Sequence, residues 1–346
     1  MNPLPIGILG FAHGHVGMYC TRWREHPELG VRVVAGWDHD AARLTEAAAK
    51  NGVEASATAE ALVARPDIQA VVIGAETSRH AELVGLAAAA GKAVVLQKPL
   101  SLTLAEADRI VAAVARHRVP FTLAWQMRVE HHNLQARDLL ASGRFGRVFM
   151  IRRRHTLNTQ DWPDFEKSWH VQPELNRDIF ADDAAHPMDF IYWLRGLPES
   201  VTAEITTVAN PKIPNDNGIA VFRYADGTLA EVSCTFVARA GENTLEIVAE
   251  NGVIIGNYGD GPSAAARPAG APQLKWWLQG AGWTTSELPE IKSQGERICG
   301  LAAPLADFLH GRRPPIATAE EGRDVLQMVD ASLQSSAEGR RVRIGA

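Results

Sequence analysis

In the first third of the chain, short apolar runs alternate with longer segments that have the pattern of helices. The apolar runs predict strands at 6–9, 31–37, 68–73, 93–96 and 121–125. The segments between them predict helices from the first turn to about residue 25 and at 41–50, 78–90 and 104–116. Strands that are apolar throughout and alternate with helices indicate a parallel sheet covered on both faces. We therefore expect a doubly wound α/β domain over residues 1–124, with its ligand crevice at the carboxyl ends of the strands.

The pattern changes after about residue 125. A helix is predicted at 132–141, and long strands then dominate, at 148–157, 201–208, 219–224, 229–236, 245–249 and 253–257. The sequence Ala-Asp-Gly-Thr between the third and fourth of these strands is a hairpin signal. Because hairpins need no crossover helices, we expect residues 125–346 to form a second domain with a largely antiparallel sheet. Its other predicted elements are a helix that begins near His186, a loop at 259–270 and a last helix at 320–337.

Size and composition narrow the class of protein. The 346 residues exceed what one hydrophobic core usually serves, which agrees with two domains. The formal net charge is −5 and no Lys/Arg-rich run is present, which argues against nucleic acid and anionic membranes as partners. Cys20, Cys234 and Cys299 do not have the spacing of a zinc site, so we expect no metal. With no secretory signal and no apolar run of transmembrane length, the cytoplasm is the expected location.

The first predicted strand ends in the glycine-rich stretch GILGFAHGHVG. Gly10 stands at the first position of the dinucleotide fingerprint GxGxxG, whereas Ala12 and His15 replace its second and third glycines. Alanine still lets the backbone approach a pyrophosphate, and the following helix offers N–H groups and the positive end of its dipole to phosphate. His13 and His15 either contact the anion or only fill the turn, and the sequence favours neither role.

Asp38 ends the second predicted strand, in the stretch VVAGWD. A carboxylate at this position accepts hydrogen bonds from the ribose hydroxyls of a dinucleotide and repels a 2′-phosphate, so NAD is favoured over NADP. The alternative role for Asp38 is that of an acid at a helix N-terminus. The positive charge of Arg43 near Asp38 would complicate the preference for NAD. Because Arg43 lies within the following helix, we expect its side chain to stay away from Asp38.

Lys98 directly follows the apolar run Val94–Leu96 and Gln97, at the end of a predicted parallel strand. Its side chain is therefore expected in the crevice where a nicotinamide would lie. The alternative is a lysine whose aliphatic stem covers apolar surface while its ammonium group stays in water.

A second motif is FADDAAHPMDFIYWLRG. Pro187 suits the first turn of a helix, which places His186 near the helix N-terminus. The helix dipole disfavours a positive charge there, so we expect a neutral imidazole that accepts a proton. Asp182 is expected to reach His186 and hold its tautomer, Asp183 competes for that role, and Asp189 is expected to cap the first turn. The alternative for the motif is a capping cluster around one buried histidine.

Four stretches of the chain together resemble one known family: LQKP, FADDAAHPMDFIYWL, ETSRHAEL and GRDVLQMVDASLQSS. The resemblance is to the glucose-fructose oxidoreductase / inositol dehydrogenase / rhizopine-catabolism (Gfo/Idh/MocA) family, and it covers nearly the whole chain. It implies a Rossmann domain followed by an open-faced β-sheet domain, the use of NAD(P), and oxidation or reduction at a carbon of a sugar or cyclitol.

The catalytic motifs of that family carry over to particular positions of this sequence. The lysine of the family's Glu-Lys-Pro motif matches Lys98, and its Asp-x-Gly-x-His pair matches Asp182 and His186. Two residues depart from the family pattern, since Gln97 stands where the family usually has Glu and Ala184 where it usually has Gly. The departure at Gln97 affects a cofactor or sugar contact and not the lysine.

From these residues and the resemblance we expect a cytoplasmic NAD-dependent dehydrogenase that acts on a secondary hydroxyl of a sugar, sugar acid or cyclitol. His186 is the expected general base, Asp182 orients it, and Lys98 stabilises the developing alkoxide. The alternatives are an NAD-dependent glycosidase that works by transient oxidation, and a sugar or dinucleotide sensor without catalysis.

The expected site has a cofactor side and a substrate side. The cofactor-binding set is Gly10, Ala12, His13, His15, Asp38, Thr77, His80, Gln97, Lys98 and Gln126. The substrate-binding set is Lys98, Arg128, Trp162, Trp169, Asp182 and His186. The two tryptophans either stack on a sugar ring or pack in the core. An exposed sheet face with apolar residues would be covered by another subunit, so we expect a homodimer or homotetramer.

Overall fold

The computed structural model describes residues 3–241, 243–257, 272–289 and 293–345, so the loop predicted at 259–270 lies outside the described residues. The strands in the described part are β1 Leu4–Leu9, β2 Val31–Trp37, β3 Glu54–Ala55, β4 Ala70–Ile73, β5 Ala93–Leu96, β6 Phe121–Leu123, β7 Val148–Thr156, β8 Ser200–Thr206, β9 Asn217–Arg223, β10 Leu229–Thr235, β11 Thr244–Ala249, β12 Gly252–Asn257, β13 Leu274–Leu278, β14 Gly282–Thr285 and β15 Val342–Arg343.

Helices occur throughout the chain. The α-helices in the described part are α1 Gly14–Glu25, α2 Ala41–Asn51, α3 Ala59–Val63, α4 His80–Ala89, α5 Leu104–His117, α6 His131–Ala141, α7 Pro173–Asn176, α8 Ala185–Arg195, α9 Gln294–Cys299, α10 Ala302–Leu309 and α11 Ala319–Glu338. A π-helical turn, Phe180–Ala184, leads directly into α8. Short 3₁₀ helices lie at Pro27–Leu29, Thr77–Arg79, Gln126–Arg128, Thr159–Asp161, Phe165–Lys167 and Trp169–Val171.

One sheet is wholly parallel and contains β1 to β6 in the order β3-β2-β1-β4-β5-β6. The direction of winding reverses between β1 and β4, which is the switch point where sheets of this class hold their ligands. Strands β1, β4 and β5 are apolar and largely buried, including all four residues of β4 and the last four of β1, whereas the short edge strand β3 is exposed. Burial on both faces explains the continuous apolar runs in the sequence. The predicted doubly wound Rossmann sheet is confirmed.

The other sheet has nine strands in the order β14-β13-β12-β11-β7-β10-β9-β8-β15. The pair β7–β10 is parallel, and the other neighbouring pairs are antiparallel. In β9, buried Ala220 and Phe222 alternate with exposed Ile219 and Val221. This period of two means that one sheet face packs on a core and the other is open. The predicted, largely antiparallel second sheet is confirmed, together with the hairpin of β9 and β10.

The structure divides into two compact units. The first comprises Met1–Gln126, Glu174–Asn176 and Arg297–Leu326, and the second comprises Met127–Pro173, Arg177–Glu296 and Gln327–Ala346. The predicted boundary after residue 124 is close to the division at Gln126. However, residues 297–326, which the sequence assigned to the second domain, belong to the first unit. Trp23 Nε1 donates to the carbonyl of Ala302 at 2.9 Å, and the Ile316 N–H donates to Thr122 Oγ1 at 2.8 Å.

Candidate active site

The turn after β1 allows a ligand to approach the backbone closely. Gly10 has a φ of +88°, and a Cβ at this position would lie 2.4 Å from the Cα of Ala75. Only glycine satisfies both the left-handed conformation and this spacing. Around Gly14, the first residue of α1, a Cβ would meet no atom within 4 Å outside its own helix. The turn therefore suits a pyrophosphate, because the first N–H groups of a helix have no partner within it.

His13 and His15 are part of the start of α1. Nδ1 of His13 accepts the backbone N–H of His15 at 3.4 Å, so His13 is the N-cap residue of the helix. The two imidazole rings meet edge-on, with 4.3 Å between their centroids. A contact of either histidine with a phosphate stays a prediction.

Asp38, at the end of β2, is buried and accepts four hydrogen bonds. Two come from the backbone N–H groups of Phe11 at 2.7 Å and Asp40 at 2.9 Å. The other two come from the guanidinium of Arg43, from Nε and Nη2, each at 2.8 Å. The expectation that its place in the helix keeps Arg43 apart was wrong, because the long side chain of this α2 residue turns back to the carboxylate. Burial alone raises the pKa of Asp38, but the hydrogen bonds from Arg43 and the backbone outweigh burial and lower it.

Further charged groups surround the ion pair of Asp38 and Arg43. Nη2 of Arg43 also donates to Glu76 at 2.8 Å, and Nδ1 of His39 lies 3.4 Å from Asp38 and 3.5 Å from Glu76. A cavity of about 640 Å³ adjoins Asp38, and its walls include Trp37, His39, Leu44, Ser56, Arg79 and Leu83. Its size and its mixed apolar and polar lining suit the adenosine half of a dinucleotide.

Gln97 and Lys98 follow β5 and are both buried. Nε2 of Gln97 donates to the hydroxyl of Tyr19 at 2.9 Å, and burial raises the pKa of that phenol. The other amide atom of Gln97, Oε1, has no hydrogen-bond partner among the described residues. The same holds for Oε1 of the buried Gln126. Two such acceptors are free to bind N–H or O–H groups of a cofactor, so they fit the predicted cofactor side.

Thr77 begins the 3₁₀ helix that precedes α4, His80 is the first residue of α4, and both are buried. Nδ1 of His80 lies 2.9 Å from the carbonyl of Pro99, and Nε2 lies 3.2 Å from the carbonyl of Ala75. Burial lowers the pKa of His80 to about 4, so its ring is neutral at physiological pH. Thr77 Oγ1 donates a hydrogen bond to Asn176 Oδ1. The predicted cofactor contacts of Thr77 and His80 stay predictions; the contacts described here join segments of the first unit.

In the second unit, Arg128 and Asp189 form a buried ion pair. The guanidinium donates through Nε at 3.0 Å and through Nη2 at 2.7 Å to the two carboxylate oxygens. The prediction that Asp189 caps the first turn of α8 was wrong, because Asp189 is the fifth residue of that helix and faces Arg128. The charge of Arg128 is thus matched within the protein.

The helix that carries the second motif begins earlier than the sequence indicated. The π-helical turn precedes α8, and Oδ1 of Asp178 accepts the N–H of Ala181 at 2.8 Å, so Asp178 caps the helical run. His186 therefore lies within a continuous helical run rather than at its start, which weakens the dipole argument for a neutral imidazole. π-Helical turns are common at functional sites because the extra residue changes where side chains point.

Asp182 and Asp183, adjacent on this turn, contact different histidines. Oδ2 of Asp182 lies 2.6 Å from Nδ1 of His170, which is a hydrogen bond. Oδ1 of Asp183 lies 3.8 Å from Nε2 of His186 and 3.7 Å from Nε2 of His155. The rings of His155 and His186 are 6.1 Å apart. The π-helical turn thus carries two carboxylates, one hydrogen-bonded to His170 and the other near His155 and His186.

The sequence did not identify His155 or His170 as neighbours of these carboxylates. For His155 a signal exists, since alternation along β7 buries Arg153 and His155 on the same side. For His170 there is none, because the residue lies in an irregular segment of short 3₁₀ helices.

Trp162 and Trp169 are both partly exposed and pack on aromatic neighbours. Trp162 meets Phe165 edge-on at 5.1 Å, and Trp169 stacks on His170 with 3.9 Å between ring centroids. A contact of either tryptophan with a sugar stays a prediction.

Two features are absent from the residues that the structure describes. Among them, no group of three or more His, Cys, Asp or Glu side chains has a geometry that could hold a metal ion. No helix in the same part of the chain has the length and apolar character needed to cross a membrane.

A Rossmann sheet with a glycine turn and an acid after β2, in one chain with an open-faced sheet, defines the class of NAD-binding oxidoreductases. Comparison with known proteins gives the same class. Residues 4–124 match the model of an oxidoreductase family with an NAD-binding Rossmann fold, and residues 133–255 match the GFO/IDH/MocA C-terminal domain. The chain belongs to the Gfo/Idh/MocA family of oxidoreductases.

Several relatives have full-length similarity. The chain is 27% identical to 1,5-anhydro-D-fructose reductase of Ensifer adhaerens, over 91% of this chain and 92% of the relative. It is 24% identical to myo-inositol 2-dehydrogenase of Thermotoga maritima, over 87% and 88% of the two chains. The structure of the WlbA dehydrogenase from Bordetella pertussis, in complex with NADH and UDP-GlcNAcA, superimposes with a TM-score of 0.81. That likeness covers all of both chains at 21% identity and shows the common fold.

Proposed function

We propose that the protein is an NAD-dependent dehydrogenase acting on a secondary hydroxyl, or the corresponding ketone, of a sugar, sugar acid or cyclitol. The observation that carries the proposal is the π-helical turn, which brings Asp182 and Asp183 to histidines in a chain of this family. Oxidation of a secondary alcohol releases a hydride, which bound NAD accepts, and a proton, which needs a base in the protein.

His186 is the proposed base for that proton. Its imidazole is buried, and the Asp183 carboxylate lies 3.8 Å from Nε2. Negative charge from Asp183, and from Asp182 on the same turn, stabilises the imidazole once it carries the proton. Lys98 is proposed as the donor that stabilises developing alkoxide charge on the substrate oxygen, and its buried position at the end of β5 supports that role.

The proposed cofactor preference is for NAD over NADP. Asp38 and Glu76 place two carboxylates at the end of β2 and in the segment after β4. The guanidinium of Arg43 contacts both carboxylates and compensates part of their negative charge. The preference for NAD over NADP therefore depends on whether Arg43 keeps its contacts with Asp38 and Glu76 when the cofactor binds. The Gly10 turn and the open start of α1 are proposed to hold the pyrophosphate.

A substrate screen tests the function. We expect NADH formation from NAD with at least one of myo-inositol, levoglucosan, D-apiose and D-glucose, or NADH consumption with 1,5-anhydro-D-fructose, and far less of either with the Lys98→Ala variant. The failure of every probe, with NADH binding intact, would contradict a dehydrogenase of this class. Release of free alcohol from a glycoside without net NADH would indicate the glycosidase instead.

A homodimer or homotetramer is also proposed. The open sheet face carries a cross-strand row of apolar side chains: Leu229, Met150, Val248, Val253, Trp277 and Trp283. Trp283 is 57% exposed and Trp277 is 37% exposed, which is unusual for tryptophan on a solvated face. Light scattering should give an oligomer for the wild type, and Trp277→Arg should weaken it, whereas Val208→Arg, outside the sheet, should not. A monomeric wild type would refute the proposal.

We place the protein in the cytoplasm as part of the same proposal. All three cysteines are free thiols, and Cys20 and Cys234 are buried, as is usual in a reducing compartment.

A further inference from the structure

The segment after β2 carries two opposed signals for the choice of dinucleotide. In Rossmann domains an acid at this position binds the ribose 2′-hydroxyl of NAD, whereas a nearby arginine accommodates the 2′-phosphate of NADP. This chain has both, since Asp38 follows β2 and the guanidinium of Arg43 lies 2.8 Å from its carboxylate. A guanidinium that could turn to a phosphate would favour NADP. A residue that restrains Arg43 therefore affects which dinucleotide is preferred.

Glu76 restrains Arg43 from another segment of the first unit. It lies between β4 and the 3₁₀ helix Thr77–Arg79, and its Oε1 accepts a hydrogen bond from Nη2 of Arg43 at 2.8 Å. The same Nη2 donates to Oδ1 of Asp38 at 2.8 Å, and Nε donates to Oδ2 of Asp38 at 2.8 Å. The guanidinium thus joins the segment after β2 to the segment after β4.

Burial strengthens this bridge. The Asp38 side chain is fully buried, and the side chains of Glu76 and Arg43 are 5% and 26% exposed. Nδ1 of the partly exposed His39 lies 3.5 Å from Oε2 of Glu76, and this oxygen makes no hydrogen bond among the described residues. If Arg43 turned away, two buried carboxylates would lose the guanidinium that compensates them, which is costly. The contacts therefore hold Arg43 on Asp38.

We infer that Glu76 favours NAD over NADP by holding Arg43 on Asp38, so that the guanidinium is withheld from a 2′-phosphate. The inference rests on the proposed function and adds a residue from the segment after β4 to the choice of dinucleotide. Glu76 is a positioning residue in this role, because it acts through Arg43. Once Glu76 no longer holds Nη2, a doubly charged phosphate competes with Asp38 alone for the guanidinium.

Two substitutions of Glu76 separate its contact from its charge. Glu76→Gln keeps the length of the side chain and removes the charge, so the amide oxygen holds Arg43 less strongly. Glu76→Asp keeps the charge but is one methylene group shorter, so it loses the 2.8 Å contact with Nη2. Glu82→Gln is the matched control, because Glu82 is an exposed carboxylate that lines the same cavity as Asp38.

The measurement is the Kd of NADH and of NADPH for each purified variant, by fluorescence titration without any substrate. We expect Glu76→Gln and Glu76→Asp to lower the Kd of NADPH about tenfold, the value of a hydrogen bond to a charged group, because Arg43 becomes available to the phosphate. The Kd of NADH should change much less. Glu82→Gln should leave both constants close to those of the wild type.

The double variant Arg43→Gln/Glu76→Gln tests whether the effect passes through Arg43. If Glu76 acts by holding the guanidinium, Glu76→Gln brings no gain in NADPH affinity when Arg43 is already replaced by glutamine. If Glu76 acts only by repelling the phosphate through space, the gain persists without Arg43 and is missing in Glu76→Asp. That second result would overturn the inference.

The melting temperature of each variant without cofactor shows whether it is folded, and Glu76→Asp, which keeps the charge, serves as the test if Glu76→Gln does not fold. Unchanged NADPH affinity in the folded Glu76 variants would also overturn the inference, while leaving the dehydrogenase function intact. A wild type that binds neither NADH nor NADPH would contradict the proposed function itself.

Discussion

Asp38 and Arg43 are joined by two parallel hydrogen bonds of 2.8 Å, with the carboxylate at the end of β2 and the guanidinium on α2. The same carboxylate accepts two backbone N–H groups, so all of its roughly four lone-pair sites are in use. A ribose hydroxyl must therefore share or replace one of these bonds. We therefore expect the choice of dinucleotide to depend on Asp38 and Arg43 together.

We expect the purified protein to bind NAD(H) more tightly than NADP(H), and Asp38→Ala to narrow the difference by roughly 1–3 kcal/mol, the cost of an unpaired polar group. Asp40→Ala is the matched control, because Asp40 caps α2 two residues away and is exposed. Titration of each variant with both cofactors measures the effect. Equal or tighter NADP binding by the wild type would be incompatible with this view of the site.

Removal of the proposed catalytic groups should affect turnover more than cofactor binding. His186→Ala and Lys98→Ala should each lower kcat about a hundredfold or more, because a general base and an alkoxide-stabilising donor contribute factors of this size. NADH affinity should change little in His186→Ala. Steady-state kinetics on the best substrate gives the answer, and near-normal turnover in either variant would remove that residue from the mechanism.

Gln97→Glu should be nearly neutral. Adjacent residues in extended chain point to opposite sides, so the two side chains of Gln97 and Lys98 should not share functional atoms. In the structure the Gln97 amide contacts Tyr19, and a glutamate would accept a hydrogen bond from the same hydroxyl. We predict kcat/KM within about tenfold of wild type, or about 1.4 kcal/mol, and a much larger loss for Lys98→Gln. A shift of the pH profile by more than one unit in Gln97→Glu would mean that the two side chains couple directly.

The buried pair of Arg128 and Asp189 should matter for stability. Asp189→Asn removes the charge of the carboxylate that the buried guanidinium contacts at 2.7 Å, so we expect a loss of about 3–5 kcal/mol in urea unfolding. Asp226→Asn, in the exposed pair with Arg195, is the control and should have a much smaller effect. The double variant Arg128→Met/Asp189→Leu should recover much of the loss. If Asp189→Asn and Asp226→Asn lower the free energy of unfolding equally, the buried pair does not stabilise the protein more than the exposed pair does.

His80 should make the stability depend on pH. Burial lowers its pKa to about 4, whereas an unfolded chain takes up the proton near pH 6.5. The contribution of neutral His80 is therefore fully present above pH 6.5 and is lost as the pH falls toward 4, by at most about 1.4 kcal/mol per unit. Urea unfolding of the wild type and His80→Gln at pH 7.5, 6 and 5 should show a smaller decline in the variant. Parallel declines would exclude His80 as the cause.

Much of the secondary structure follows from the sequence because apolar runs and alternation are local properties. The predicted strands Val31–Trp37 and Ala93–Leu96 have the bounds that the structure gives them. The short strands β13 and β14 were missed, since β13 has only five residues, with an apolar run of three, and β14 has four residues without strict alternation. Only their place at the edge of the nine-stranded sheet defines them.

The sequence by itself determined the fold class, the family and the candidate chemistry of Lys98, Asp182 and His186, because these follow from periodicity and from short motifs. Tertiary structure decided which side chains meet. The bond from Asp182 to His170 depends on how an irregular segment folds back, and the reach of Arg43 to Asp38 depends on a side-chain rotamer. Neither contact can be predicted from a periodic pattern, because hydrogen bonds between side chains join residues that are close in space and have no regular spacing in the sequence.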